Sequence, residues 1–258
     1  MGRGRGERKA MGGDLVSLRV LVVADVPSRR DLWQQATTMA SVPIEYMAED
    51  AAGAVAALKR GDVDICVVDT ALADSDRQAV TEAARAARSA PLLFVTVARG
   101  APRPVNVDAA LARPTNQEDA RRLVDICVRG KIPTNVLIVD DSGTMRGIVR
   151  KILTASRFAL NVHESAEGIA ALEQIGSGRF GLVFLDHNMP GLNGIETLSE
   201  IKRISPGVSV VMMTSTVNNI VADRARSVGA LAFLKKPFYP ADIDVVLERH
   251  FGLHATVD

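Results

Sequence analysis

Five residues lying far apart in this 258-residue chain could do chemistry together: the pair Asp140-Asp141, then Asp186, Thr214 and Lys236. Each follows or closes a short apolar segment. Val136-Leu137-Ile138-Val139 leads into the acid pair, Leu182-Val183-Phe184-Leu185 into Asp186, and Val210-Val211-Met212-Met213 into Thr214. Leu234 stands two residues before Lys236, and a turn at Met189-Pro190-Gly191 follows Asp186. Short apolar runs bounded by turn residues read as buried strands of a parallel sheet. If the strands are parallel, all five residues gather on one edge of that sheet, where open α/β sheets place their chemistry. Three carboxylates in one pocket repel one another and call for a cation, and a hard divalent ion with oxygen ligands fits. Lys236 adds a positive charge and Thr214 a hydroxyl. The set suits phosphoryl transfer to a carboxylate, with Asp186 attacking in line while cation and ammonium neutralise the phosphoryl oxygens. A lone acid after a buried strand is usually a turn residue; four strand ends with complementary chemistry argue otherwise.

Helical patterns separate the strands. Ser142 is predicted to cap a helix whose apolar face includes Met145, Ile148, Val149 and Ile152. Phe158 to Val162 reads as a second strand, and Ser165-Ala166-Glu167 opens a helix running through Leu172 and Ile175. Ile195, Leu198, Ile201 and Ile204 line a third helix, and Val217 to Val228 forms a fourth that ends at Gly229. Pro240 starts the last, with Ile243, Val246, Leu247 and Phe251 facing inward. Strands alternating with helices predict βαβ units with right-handed crossovers.

The pattern occurs twice. Val20 to Asp25 resembles Val136 to Asp141, Asp64 to Asp69 resembles Gly181 to Asp186, Leu92 to Thr96 resembles Val210 to Thr214, and Leu111 to Pro114 resembles Leu234 to Pro237. Asp25 to Asp69 is 44 residues and Asp141 to Asp186 is 45; Asp69 to Thr96 is 27 and Asp186 to Thr214 is 28. Two copies of one fold are therefore predicted, over residues 17–130 and 131–258, joined at Arg129-Gly130-Lys131-Ile132-Pro133 and close neighbours. In the first copy Thr96 to Arg113 is only 17 residues, against 22 from Thr214 to Lys236, and Pro102 and Pro104 interrupt the stretch. Its fourth helix is predicted to be shortened or missing.

Composition sets bounds. The chain is 47% hydrophobic and 24% charged with a net charge of +1, so no nucleic-acid partner is expected. No apolar run approaches the ~18 residues of a membrane span, so no membrane association is expected, and the location read from the sequence is cytoplasmic. Residues 1–16 carry Arg3, Arg5, Arg8 and Lys9 among glycines and read as a disordered basic tail. Cys66 and Cys127 have neither metal nor disulfide spacing and read as buried core residues of a reducing compartment. His163, His187, His250 and His254 show no ligand spacing and read as surface or turn residues, and Lys235 as a solvated neighbour of Lys236.

The acid pair, the run Asp186-His187-Asn188-Met189-Pro190-Gly191, Thr214 and Lys236-Pro237-Phe238 resemble the receiver domain of response regulators of the CheY type, and Asp141-Ser142-Gly143-Thr144-Met145-Arg146 is close to chemotaxis regulators. The resemblance covers essentially all of 133–258. It implies an α/β fold, two flavodoxin-like (βα)5 receiver domains, each a five-stranded parallel sheet of order 2-1-3-4-5 with helices on both faces. It implies Asp186 as phosphoacceptor, and Mg²⁺ held directly by Asp141, Asp186 and the backbone carbonyl of Asn188, with Asp140 helping through water or a hydrogen bond. Lys236 would pair with the phosphoryl group, and Lys236-Pro237 would be cis. Thr214 would move toward the phosphoryl group and Phe233 rotate inward, while Asn188 and Thr216 stand where the family tunes phosphoryl lifetime. The chemistry implied is self-catalysed phosphoryl transfer and autodephosphorylation, not an enzyme acting on other substrates. A histidine kinase or histidine phosphotransfer protein would be the donor, and a downstream protein the target.

The first copy departs from the pattern. Asp25, Asp69 and Thr96 remain, but Ala24 replaces the first acid, Arg113 stands where the lysine should be, and Ala110 replaces the aromatic switch. Arg is not a compact point charge and does not substitute for Lys in a tight pocket. This copy is expected to be a degenerate receiver, with Arg113 bridged to Asp69 or Asp25. The family commonly signals through its fourth helix, fifth strand and fifth helix, and residues 97–106 alter that face. The copy is therefore expected to dock the second copy or a partner rather than to switch, with a homodimer left open. The overall expectation is a phosphorelay response regulator, without a DNA-binding or cyclase output domain after residue 258. Two competitors stand beside it. One is a phosphorylation-independent interaction scaffold. The other is a sensor holding an anionic nucleotide on Arg29, Arg30, Arg121 or Arg122, although paired arginines are usually solvated helix faces.

Overall fold

The apolar runs form two five-stranded sheets in the computed structural model, which describes residues 17–98, 100–101, 104–215 and 219–253. The basic tail expected over 1–16 lies outside the described residues, as do Thr216 and His254. The chain divides into two compact units. The first sheet contains β1 (Leu18–Val23), β2 (Ile44–Glu49), β3 (Ile65–Asp69), β4 (Leu92–Val97) and β5 (Ala109–Ala112), ordered β2-β1-β3-β4-β5. Its helices are α1 (Pro27–Thr37), α2 (Ala51–Arg60), α3 (Asp74–Ala86) and α4 (Gln117–Arg129). The second sheet contains β6 (Thr134–Val139), β7 (Leu160–Ser165), β8 (Leu182–Asp186), β9 (Ser209–Thr214) and β10 (Ala232–Lys235), ordered β10-β9-β8-β6-β7. Read from β7, this is the same 2-1-3-4-5 order. Helices α5 (Gly143–Thr154), α6 (Gly168–Ser177), α7 (Gly194–Ile204), α8 (Asn219–Val228) and α9 (Pro240–His250) connect and close it. The described pairings are parallel in both sheets.

The second sheet is a buried scaffold. Val136 to Val139 and Leu182 to Leu185 have no exposed surface, as continuous apolar strands covered on both faces require. Helices α6, α7 and α8 pack in succession, while α5 packs with α9. Local signals set the helix starts. The Ser142 hydroxyl accepts from the Met145 N–H, Asn193 forms a capping box with Glu196, and Pro240 occupies the first turn of α9. Gly194 is required at the start of α7, because a Cβ there would lie 2.5 Å from the Asp186 carbonyl oxygen and 2.7 Å from the His187 Cα. The helix that follows the β8 turn thus rests directly on the backbone of its strand end.

Some expected boundaries shift. The strand placed at Phe158–Val162 begins at Leu160 and continues to Ser165, because Phe158 instead stacks on Phe251. Helix α6 accordingly starts at Gly168, after Glu167. The inward face of α5 is Val149 and Leu153, and Ile148 is exposed. On α7, Leu198 and Ile201 are buried whereas Ile204 is largely exposed. Both cysteines are buried and unpaired, and burial pushes the Cys66 thiol up to about 12.

Among the described residues no helix lies between β4 and β5. Charge and backbone bonds hold this connection instead. The Arg85 guanidinium on α3 donates to both Asp108 carboxylate oxygens, at 3.2 and 3.1 Å, and to the Asn106 carbonyl. Buried Asp108 also accepts from the Leu93 N–H at 2.6 Å, and Asn106 takes a left-handed backbone conformation with φ 60°.

Two outcomes follow. Neither thiol should react with an aromatic disulfide reagent in the native chain at pH 8, and both should react after denaturation. Asp108→Ala should strip the Leu93 N–H and Arg85 of their partner and cost about 2 kcal/mol, read as a lower urea midpoint for the first unfolding transition.

Candidate functional site

The site at the edge of the second sheet is built from strand ends, because parallel order brings the C-terminal ends of β6, β8, β9 and β10 to one side. Asp140 and Asp141 follow β6, Asp186 ends β8, Thr214 ends β9 and Lys236 follows β10. Asp140 is fully buried and Asp186 is 4% exposed, while Asp141 faces solvent. One carboxylate oxygen from each of the three lies within 4.8 Å of the others. Lys236 Nζ donates to Asp140 Oδ2 at 2.7 Å and to Asp186 Oδ1 at 2.8 Å. Burial alone would lower the Lys236 pKa, but the two carboxylates outweigh it and hold the ammonium above its usual value. Backbone donors complete the anchoring. Ser142 N–H donates to Asp140 Oδ1, and Asn188 N–H donates to Asp186 Oδ2. Thr214 is buried, and its carbonyl accepts from the Lys236 N–H at 2.7 Å, which fixes where β10 ends.

The donor set fits a divalent cation. Three carboxylates face one ammonium, leaving an excess of negative charge, and all their ligand atoms are oxygens. Phe233 is half-buried and packs against the core cluster that contains Met212 and Leu185. Asn188 is exposed beside the pocket. Lys236-Pro237 is cis, as the resemblance implied. Lys235 is exposed, as expected. His250 departs from the surface reading: it is half-buried, its Nδ1 lies 3.0 Å from Ser209 Oγ, and burial lowers its pKa.

The matching edge of the first sheet is built differently. Asp69 is buried at the end of β3 and sits between two guanidiniums, Arg113 on Oδ1 at 2.9 Å and Arg29 on Oδ2 at 2.6 Å. Arg113 also donates to the Thr70 hydroxyl, which donates to the Thr96 carbonyl. Asp25 is exposed, Ala24 brings no carboxylate, and Ala110 is buried. Here fixed positive charges take both oxygens of the buried carboxylate and the remaining acid, Asp25, is exposed, so the donor set does not fit a divalent cation. Of the two bridges expected for Arg113, the one to Asp69 is formed.

Arg29 overturns the reading of paired arginines as a solvated helix face. It turns inward from the first turn of α1, because a buried carboxylate demands a counter-charge. Its neighbour Arg30 donates Nε–H to the Ala24 carbonyl. Arg121 and Arg122 are exposed. The space beside Asp69, lined by Arg29, Trp33, Thr96 and Arg113, measures ≈ 10 Å³, far short of a nucleotide. The clue in the sequence was a paired substitution: Arg29 stands where the second copy has Met145, and Arg113 where it has Lys236.

The chain is similar to known proteins. The family model of the response regulator receiver domain matches residues 136–248. Chemotaxis protein CheY-3 of Vibrio cholerae serotype O1 is 34% identical over 118 residues, covering 45% of this chain and 90% of the relative. Two-component response regulator ORR11 of Oryza sativa subsp. indica is 35% identical over 127 residues, covering 48% and 85%. A solved structure of a probable two-component system response regulator/GGDEF domain protein matches with a TM-score of 0.56 and 20% identity over 92% of this chain and 98% of that one, so its fold extends across both sheets. Among the described residues no helix is long and apolar enough to cross a membrane. With the acid cluster, the bridging lysine and the 2-1-3-4-5 order on one domain and a second sheet of the same order before it, the chain belongs to the response regulator receiver family, with tandem CheY-like domains.

Proposed function

We propose that this protein is a phosphorelay response regulator in which residues 131–258 form the phosphorylatable receiver and residues 17–130 a silent one. The observation that carries the reading is the Lys236 ammonium held between buried Asp140 and Asp186, with Asp141 completing an oxygen-only cluster. Asp186 is the phosphoacceptor. One of its carboxylate oxygens attacks the phosphorus of a phosphohistidine on a histidine kinase or phosphotransfer protein. The O–P bond forms as the P–N bond breaks, and the leaving imidazole nitrogen takes up a proton. Asp141, Asp186 and the Asn188 carbonyl would hold Mg²⁺, with Asp140 supporting it, and the bound cation would supply charge neutralisation of the phosphoryl oxygens. Lys236 then exchanges its contact with the Asp186 carboxylate for the phosphoryl group. Thr214 supplies a hydroxyl to a phosphoryl oxygen, and Phe233 follows it inward, so that a target protein reads the changed surface. Asn188 and Thr216 set how readily water reaches the acyl phosphate.

The first receiver is proposed to take no phosphoryl group. Asp69 is occupied by Arg29 and Arg113, and the pocket has no acid at position 24. Its contribution is a surface for docking.

Intact mass after incubation with acetyl phosphate and Mg²⁺ tests the assignment. Wild type should gain one phosphoryl group, Asp186→Asn none, and Asp69→Asn as much as wild type. Equal loss in both variants, or two groups on wild type, would overturn the division into active and silent copies. In the same assay on an Asp186→Asn background, replacing Ala24 by Asp, Arg29 by Met and Arg113 by Lys should open the first pocket and restore one phosphoryl group.

A further inference from the structure

A second cationic side chain lies behind the acid pair and outside the cluster described so far. Arg146, five residues after Asp141 on the first turns of α5, folds back toward the end of β6. Its NH1 donates to the Asp140 carbonyl at 2.8 Å and to the Asp141 carbonyl at 3.3 Å. Its Nε donates to Glu164 Oε2 at 3.0 Å, and Arg150 pairs with Glu164 Oε1 at 2.7 Å. Glu164 lies on β7, in register with Ile138 on β6. The Arg146 side chain is 20% exposed, and its hydrogen bonds hold it by direction as well as by charge. It therefore ties the backbone of both acids to a carboxylate on the neighbouring edge strand, β7.

The first copy supplies an internal comparison. Arg30, five residues after Asp25, donates to the Ala24 carbonyl, which is the position of Asp140. The strand residue in register with Val22 is Ala48, where the second copy has Glu164. The arginine is present in both copies, but its carboxylate anchor accompanies only the copy that retains the acid pair. The anchor therefore tracks the acidic pocket and not the fold.

Resting on the reading of Asp140 and Asp141 as cation-site residues, we infer that Arg146, anchored by Glu164, is the positioning residue that sets the aim of the acid pair and hence the pocket's affinity for Mg²⁺. Its effect has a sign that separates positioning from mere charge. A positive side chain near the pocket repels a divalent cation, so removing the charge alone would tighten Mg²⁺ binding. Removing a group that orients the ligands loosens it, by tenfold or more for outer partners of a metal site.

Magnesium titration calorimetry on the full chain tests this, with Arg146→Gln, Arg146→Lys and Arg30→Gln. Arg146→Gln should weaken Mg²⁺ binding by at least about tenfold. Arg146→Lys, which keeps the charge and loses the fork, should shift it in the same direction. Arg30→Gln should match wild type. Binding that is unchanged or tighter in folded Arg146→Gln, or equally weakened by Arg30→Gln, would overturn the inference while leaving the cation site intact. Where Arg146→Gln does not fold, Arg146→Lys decides, because it keeps the charge and removes only the fork: weaker binding supports the role, and wild-type affinity overturns it. Wild type that neither binds Mg²⁺ nor gains a phosphoryl group would overturn the pocket reading and this inference together.

Discussion

The second domain depends on one ammonium placed between two buried carboxylates. Asp140 and Asp186 are almost without solvent, and burying a charge is costly unless it is paired and hydrogen-bonded. Lys236 meets that demand from a distance. It leaves the sheet at β10, while Asp186 ends β8, with β9 between them. Two strand spacings are roughly 10 Å. Only a long, flexible side chain with a compact charge can cover most of that span and meet both carboxylates. The hydrogen bond from the Lys236 N–H to the Thr214 carbonyl fixes the point from which it reaches. Strand order, the length of β10 and the chemistry of the pocket are thus one constraint.

The first domain answers the same electrostatic demand in the opposite way. Its acceptor-like carboxylate is shared by two guanidiniums, one from the helix after β1 and one from the end of β5. In the second pocket three carboxylates face one ammonium; in the first, two guanidiniums hold both oxygens of the buried carboxylate. A handful of side-chain exchanges on the same backbone converts an unfinished site into a finished one.

Most of this was legible in the sequence because parallel sheets impose strong signals. Continuous apolar runs with polar residues at their ends gave the strands, their order of appearance and the five pocket residues. The matching spacings exposed the duplication, and the prolines after Thr96 foretold the missing helix. What stayed hidden concerns side-chain direction. Arg29 sits on an exposed-looking helix start, and nothing local says that it turns inward; only comparison with Met145 across the repeat does. The strand after α5 begins later than its first apolar residue because Phe158 is claimed by Phe251, a contact across 93 positions of sequence. His250, at the end of α9, could not be placed for the same reason, since its partner Ser209 lies 41 positions away on β9. Periodicity carries the fold, but long-range pairing decides the individual polar group.

The connection between β4 and β5 has a mechanical consequence. A helix laid on a sheet by apolar contact can slide or turn, since such contacts have no fixed direction and neighbouring placements cost little. A toggle needs two such resting places of comparable energy. The segment that ends at Asp108 has hydrogen bonds of set direction from Arg85 and from the Leu93 backbone, and each is lost by a shift of an ångström or two. Among the described residues, the first domain thus has bonds of set direction where the second domain has a helix packed on its neighbour α7.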